Sequence, residues 1–223
     1  MVLSNTQWLA NPGEEAYEID YSCRFNRDDA AYLSKTYSGG DGNLKKFVYS
    51  GWIKRGVLGH TDDGTLLSAG VTGTGNYESI GIMDAGDADA EKLYWEIQAG
   101  GGTSYGLLTP AVLRDPHAWY HICVAKDTTQ GTAINRVRIW INGVQQTLTT
   151  KYTSQPPQDY DGIIGDNTYV HYFSKWSDIA QYYDGYFSQT AYLDDLAITD
   201  PITDSLIEKD DNGVIRPVDI SSL

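Results

Sequence analysis

Apolar and polar positions alternate with a period of two through residues 119–125 and again through residues 137–141. In the first run Trp119, His121 and Cys123 alternate with Tyr120, Ile122 and Val124; in the second Val137, Ile139 and Ile141 alternate with Arg138, Trp140 and Asn142. That period predicts two adjacent antiparallel strands, because successive side chains of a strand point to opposite faces. Asn142-Gly143 closes the second run with a residue pair that accepts the left-handed conformations of a tight hairpin turn. Further strand-like runs fall at residues 18–25, 31–34, 46–54, 66–71, 77–82, 92–97, 106–108, 163–164 and 182–197. Their separators, among them Gly39-Gly40-Asp41-Gly42, Asp62-Asp63-Gly64, Gly100-Gly101-Gly102 and Asp184-Gly185, carry turn chemistry. Helical spacing is confined to residues 201–209, where Ile202, Leu206 and Ile207 share one side and a short helix is expected. Many short, punctuated strands predict an all-β sandwich or jelly roll of antiparallel sheets.

The chain has 223 residues, a length that sandwiches reach as one domain. Residues 18–209 are read as that domain, preceded by an irregular arm (1–17) carrying apolar Trp8 and Leu9, and followed by an irregular tail (210–223). Sixteen basic against thirty acidic residues give a net charge of -14, a field that repels nucleic-acid phosphate and anionic membranes. Apolar runs fall short of the ~20 residues that cross a bilayer. The opening residues lack the basic and apolar regions of a secretory leader, so synthesis in the cytoplasm is expected. No heptad or Gly-X-Y repeat supplies a trimeric stalk. Two cysteines, Cys23 and Cys123, form no disulfide framework; they are read as buried thiols, with one mutual bond left open.

Several stretches carry a resemblance. They are Phe25-Asn26-Arg27-Asp28-Asp29-Ala30-Ala31-Tyr32-Leu33-Ser34, Ser50-Gly51-Trp52-Ile53-Lys54, Leu66-Leu67-Ser68-Ala69-Gly70, Leu113-Arg114-Asp115-Pro116-His117-Ala118-Trp119-Tyr120, Arg136-Val137-Arg138-Ile139-Trp140-Ile141-Asn142-Gly143, Tyr183-Asp184-Gly185-Tyr186-Phe187 and Asp210-Asp211-Asn212-Gly213. In this order they resemble the concanavalin A-like, laminin G-like jelly-roll domains of bacteriophage virion proteins, especially of marine phages. Asp194-Asp195 departs from the Asp-Gly usual there. The resemblance implies a concanavalin A-like jelly-roll β-sandwich and a non-enzymatic structural protein on the virion surface. Decoration of the capsid or tail is the preferred role, attached through the arm at Trp8 and Leu9, with glycan binding in addition. A tail-fibre adhesin recognising host surface carbohydrate is the alternative. Implied partners are other virion proteins, host surface glycans and further copies of the chain on the particle.

The same broad fold hosts glycoside hydrolases, which need two carboxyl groups about 5 Å apart for retaining hydrolysis. Glu18-Ile19-Asp20 reproduces half of such a strand pattern, but Ser22 and Cys23 stand where the second carboxylate is needed. No catalytic residue is therefore assigned. His60, His117, His121 and His171 show no zinc-like pairing. No cofactor is expected; calcium is the one candidate ion, with Asp62, Asp63, Asp84 and Asp87 as oxygen ligands. Trp52, Trp119 and Trp140, each within an alternating strand, are expected to anchor facing sheets. Tyr169, Tyr172, Trp176, Tyr182 and Tyr183 form the densest aromatic stretch and are the candidate glycan or partner surface.

Overall fold

The protein is described by a computed structural model that covers residues 17, 19–83, 85–153 and 155–221. Its strands are β1 (Cys23–Phe25), β2 (Leu33–Lys35), β3 (Lys46–Arg55), β4 (Gly64–Val71), β5 (Asn76–Ile82), β6 (Lys92–Gln98), β7 (Tyr105–Val112) and β8 (Trp119–Asp127). They continue as β9 (Val137–Ile141), β10 (Val144–Gln145), β11 (Thr149–Thr150), β12 (His171–Phe173), β13 (Gly185–Asp194), β14 (Ile207–Lys209) and β15 (Ile215–Pro217). A six-stranded sheet has the order β1-β13-β3-β8-β9-β10 and a seven-stranded sheet the order β11-β7-β6-β5-β4-β12-β2. All pairings in both are antiparallel. The chain changes sheet after β1, β2, β3, β7, β10 and β12, so each sheet is assembled from distant segments, as in a jelly roll. The hairpin read from Asn142-Gly143 is present: both residues have positive φ (51° and 72°) and Val144 pairs with Ile141 across the turn.

Alternation decides what lies between the sheets. Phe47, Tyr49 and Ile53 of β3, Ile122 and Val124 of β8, and Val137, Ile139 and Ile141 of β9 meet Leu67, Ala69, Ile80, Ile82, Leu93, Trp95 and Ile97 from the other sheet. One ion pair crosses this apolar interior. Lys126 Nζ of β8 donates to Glu78 Oε1 (2.9 Å) and Oε2 (3.0 Å) of β5, and the two side chains are 1% and 0% exposed. Trp95 Nε1 and the backbone N–H groups of Ile163 and Ile164 also donate to the Glu78 carboxylate, at 3.0, 2.9 and 3.0 Å. Residues 163–164 are therefore not the strand that their apolar character predicted but a buried loop segment held by that carboxylate. Gly162 has to lack a side chain, since a Cβ there would stand 1.9 Å from Lys126 Nζ. Burial lowers the Lys126 pKa, with Glu78 opposing the shift.

The outer face of the six-stranded sheet is covered by the C-terminal segment. Val48, Cys123, Ala125 and Trp140 pack there against Ile198 and Leu206. The helix expected at residues 201–209 is absent: these residues form turns and then β14, which pairs with β15. Asp204 Oδ2 accepts from the N–H groups of Thr199 and Asp200, and Asp200 Oδ1 accepts from those of Ile202 and Thr203. Side-chain acceptors so placed favour turns over a helix. The tail from residue 210 is likewise not irregular throughout, since it supplies the turn and second strand of that hairpin.

Other expectations are corrected by the same layering. Trp52, Trp119 and Trp140 do not anchor the facing sheets. Trp140 is buried beneath the C-terminal segment, and Trp119 remains 38% exposed. Residues 19–22 are not strand, so β1 begins only at Cys23, and β13 is limited to Gly185–Asp194 with a bulge between Ser188 and Ala191. Cys23 is exposed and Cys123 buried, both as free thiols. They lie on strands three places apart in one sheet, about 14 Å at ordinary strand spacing, beyond disulfide reach. Burial pushes the pKa of His121, bonded to Ser50 at 2.9 Å, down to about 3.

Removing one member of the interior pair should be costly. Lys126→Met, which leaves Glu78 without its cation, is expected to lower the unfolding free energy by about 3–5 kcal/mol in a urea titration. Adding Glu78→Gln should restore part of that loss. Absence of any recovery would assign the loss to packing around residue 126 rather than to the stranded charge.

Candidate functional site

Residues 174–183 fold back as a small hairpin onto the outer face of the seven-stranded sheet. Tyr183 N–H donates to Ser174 O (3.1 Å), Trp176 N–H to Gln181 O (2.9 Å), and Lys175 is bridged to Tyr182. The sheet holds this hairpin through small hydroxyl residues. Ser68 Oγ of β4 donates to Lys175 O (2.7 Å) and accepts from Ser177 N–H (2.6 Å), while Ser177 Oγ donates to Gly70 O. At the tip, Asp178 Oδ1 accepts from Thr72 N–H (2.9 Å) and Thr72 Oγ1 (2.7 Å).

The alternation of this hairpin sends Trp176 and Gln181 to one side. There they wall a cleft of about 320 Å³ together with Asp63, Met83, Asp87, Asp89, Lys151, Tyr152 and Ile179. The Trp176 ring is packed on Met83, Tyr94 and Leu108, with ring centres 6.1 Å from both Tyr77 and Tyr94. Trp176 Nε1 and Gln181 Oε1 find no hydrogen-bond partner among the described residues. Both atoms are buried rather than open to the cleft. Lys151 Nζ donates to Glu96 Oε2 (2.8 Å) and sits 4.0 Å above the Tyr94 ring and 5.1 Å from that of Tyr152. Gly106 of β7 lets this arm lie flat, because a Cβ there would meet the Tyr152 ring at 2.8 Å. Burial raises the Glu96 pKa, and Lys151 pulls against the shift without cancelling it.

The other side of the hairpin presents a tyrosine ledge. Tyr32 meets Tyr172 edge-on at 5.8 Å and stacks with Tyr182 at 6.2 Å, while Lys175 Nζ lies 5.0 Å from the Tyr32 ring and 4.5 Å from the Tyr172 ring. The aromatic stretch read from the sequence is therefore divided. Tyr172 and Tyr182 belong to the ledge and Trp176 to the cleft. Tyr169 is half-buried against the core, and Tyr183 is fully buried within it, so Tyr183 is no surface residue. Sequence reasoning missed Tyr32, Lys151, Tyr152, Gln181 and Asp89. The Lys-Tyr pair at 151–152 carries no pattern of its own, and only the fold brings it over β7.

The acidic residues singled out for calcium are separated. Asp62 Oδ2 accepts from Arg27 Nη2 at 2.7 Å on a different surface, where it lines a crevice with His60 and Glu91. Asp63 and Asp87 line the cleft, and Asp84 lies outside the described residues. No group of three or more His, Cys, Asp or Glu side chains suited to a metal is found among the described residues. Trp8, Leu9 and Glu18 also lie outside them. No helix among the described residues is long and apolar enough to cross a membrane.

Two antiparallel sheets in jelly-roll order, with an aromatic, polar cleft on an outer face, define a lectin-like sandwich. Residues 28–200 match the Concanavalin A-like lectin/glucanases superfamily, and the chain belongs to that family. Among solved structures, domains LG4-5 of the mouse laminin alpha1 chain share the fold with a TM-score of 0.54 at 10% identity, over 86% of this chain and 48% of that one. The carbohydrate-binding module CBM40 of the Ruminococcus gnavus IT-sialidase, bound to alpha2,3 sialyllactose, gives a TM-score of 0.46 at 16% identity, over 73% and 90%. A heptameric SAP-like pentraxin from Limulus polyphemus gives 0.45 at 14%, over 72% and 68%. At these identities the likeness concerns the fold alone. No curated protein matches the sequence.

The pairing at Glu96 has a pH signature. Burial holds the folded pKa of Glu96 above the ordinary 4.5, so the protonated side chain favours the fold at low pH. That contribution is lost as pH rises through the folded value, where the pairing with Lys151 limits the loss. Lys151→Met should raise that value further, and urea titrations should show a greater loss of stability near pH 8 than near pH 4.5, by about 1 kcal/mol or more. Equal losses at both would reduce Lys151 to a packing role.

Proposed function

We propose that the protein is a non-enzymatic glycan-binding jelly roll that takes a neutral sugar chain in the Trp176 cleft, with the Tyr32–Tyr172–Tyr182 ledge beside it. The observation that carries this reading is the composition of the cleft: a braced indole next to Asp63, Asp87, Asp89, Lys151 and Gln181 in about 320 Å³. A sugar ring offers a C–H face to an aromatic wall and hydroxyls to carboxylates and amides, which suits a site with apolar walls and a few polar groups. The net charge of -14 favours neutral over sulfated or sialylated chains.

Binding rather than hydrolysis is supported by the strand beneath the cleft. The outward positions of β6 include Glu96 and, two residues on, Gln98, so this strand face supplies one carboxylate there, and Lys151 engages it. The pair of carboxyl groups that glycoside hydrolysis calls for is thus not on this strand face, and the cleft's Asp63, Asp87 and Asp89 come from loops outside it. Trp176→Ala is expected to abolish retention on an array of neutral glycans while the purified chain releases no reducing ends from them. Unchanged retention by that variant would remove the cleft from the reading.

The setting we propose is the outside of a phage particle, with decoration of the capsid or tail ahead of a tail-fibre adhesin. The order of strand and turn motifs that resembles virion jelly rolls supports it, as does an arm whose Trp8 and Leu9 offer apolar contacts to a particle. Deleting residues 2–13 should eliminate the chain from purified particles without lowering its melting temperature. Full occupancy after the deletion would sink attachment through the arm.

A further inference from the structure

A second aromatic recess lies on the opposite side of the molecule, against the outer face of the six-stranded sheet. It encloses about 330 Å³ between Trp52, Trp119, Tyr21, Asp20, Ser22 and Pro217. Trp52 pairs with His121 and Lys54 with Trp119 across β3 and β8, so the two indoles are diagonal neighbours on one face. Such neighbours stand about 7–8 Å apart, within reach of large side chains.

Both rings are braced. Trp52 meets His121 edge-on at 5.3 Å, and Trp119 meets Tyr186 edge-on at 6.4 Å. Arg24 lies 5.3 Å over the Tyr186 ring and is itself fixed by Asp184 at 3.0 Å. Trp119 nevertheless stays 38% exposed, and Trp52 Nε1, though buried, has no hydrogen-bond partner among the described residues. Exposed and rigid aromatic surface beside an unspent donor is an arrangement that structural packing alone leaves unused.

We infer that this recess is a second sugar site, receiving a neutral pyranose ring against the Trp119 and Trp52 indoles with Asp20 and Ser22 as hydroxyl partners. An apolar segment would cover the indoles but leave the exposed Asp20 carboxylate facing it unpaired. A sugar matches both, and the chain's negative field again selects an uncharged one. The two sites sit on the outer faces of opposite sheets, whose backbones stack about 10 Å apart. They look away from each other, so one chain bridges two glycans rather than gripping one twice.

Isothermal titration of the whole chain with neutral linear hexasaccharides of glucose, xylose, galactose and N-acetylglucosamine tests this. Two sugars per wild-type chain are expected, one in Trp119→Ala, one in Trp176→Ala and none in the double variant, with Trp119→Tyr retaining a weakened second site. One sugar per wild-type chain, kept in Trp119→Ala and lost in Trp176→Ala, overturns the second site and leaves the cleft's role intact. Loss in Trp119→Ala alone upholds the recess and overturns the cleft instead. Absence of binding to every sugar overturns both, and displacement of the sugar assignment follows if a proline-rich peptide alone binds the recess. Should Trp119→Ala melt early, Trp119→Gln carries the same reading.

Discussion

The sandwich depends on an ion pair placed where the hydrophobic effect alone would put leucines. Taking Glu78 and Lys126 out of water costs several kcal/mol for each ion, and their mutual attraction compensates only if every remaining valence is satisfied. Here the carboxylate accepts from Lys126, Trp95 and two consecutive backbone amides. Those amides belong to residues 163 and 164, so the charge that links the two sheets also fixes the long connection between β11 and β12. His171 continues the attachment: its Nε2 accepts from Gly165 N–H at 2.8 Å, while Nδ1 faces Tyr169 O at 3.1 Å. The position of β12, and of the hairpin that follows it, is thus tied to a buried carboxylate on β5.

That chain of constraint holds the aromatic surface of the 174–183 hairpin in place. Loops are ordinarily mobile, and a shallow sugar site on a mobile loop loses affinity to ordering entropy. The 174–183 hairpin is fastened at its base through β12 and along its length to Ser68, Gly70 and Thr72. Trp176 is further wedged on Met83, Tyr94 and Leu108. The indole reaches the cleft already oriented, so little freedom remains to be lost when a ligand arrives.

The sequence revealed strands well wherever a strand has one dry face. Residues 46–54, 92–97, 119–125 and 137–141 were legible because alternation reports which side is buried, and the Asn142-Gly143 turn because its conformation demands those residue types. Alternation does not report what covers the other side. Trp140, His121 and Cys123 share an outward face on which the distant Ile198 and Leu206 pack against Trp140 and Cys123, His121 meets Trp52, and Trp119 stays partly exposed. For the same reason the role of Lys126 was hidden at the end of a strand, since its partner is 48 residues away. Residues 201–209 were misread for a local cause: helical spacing of three apolar residues was outweighed by Asp200 and Asp204 bonding to nearby amides. Within the site, Trp176 and Tyr172 were legible as aromatic density, whereas the division between cleft and ledge follows from a two-residue alternation inside a hairpin that no local signal announces.

Each sheet solves the same problem differently. A two-layer sandwich leaves two outer faces, and a face with large side chains must be covered or used. On the seven-stranded sheet the cover is a short hairpin seated on serines, glycine and threonine, and it stops short of the Lys151–Tyr152 arm, leaving a gap with charged edges. On the six-stranded sheet the cover is the C-terminal segment, and it stops short of Trp119, leaving a gap with aromatic walls. The two gaps differ in charge: Asp63, Asp87 and Asp89 edge the first, near the Glu96–Lys151 pair, whereas Asp20 is the one acidic residue among the described residues that line the second. Both gaps combine flat aromatic surface with a few hydroxyl-matching groups, so the fold supplies rigidity and the incompleteness of its two covers supplies the chemistry.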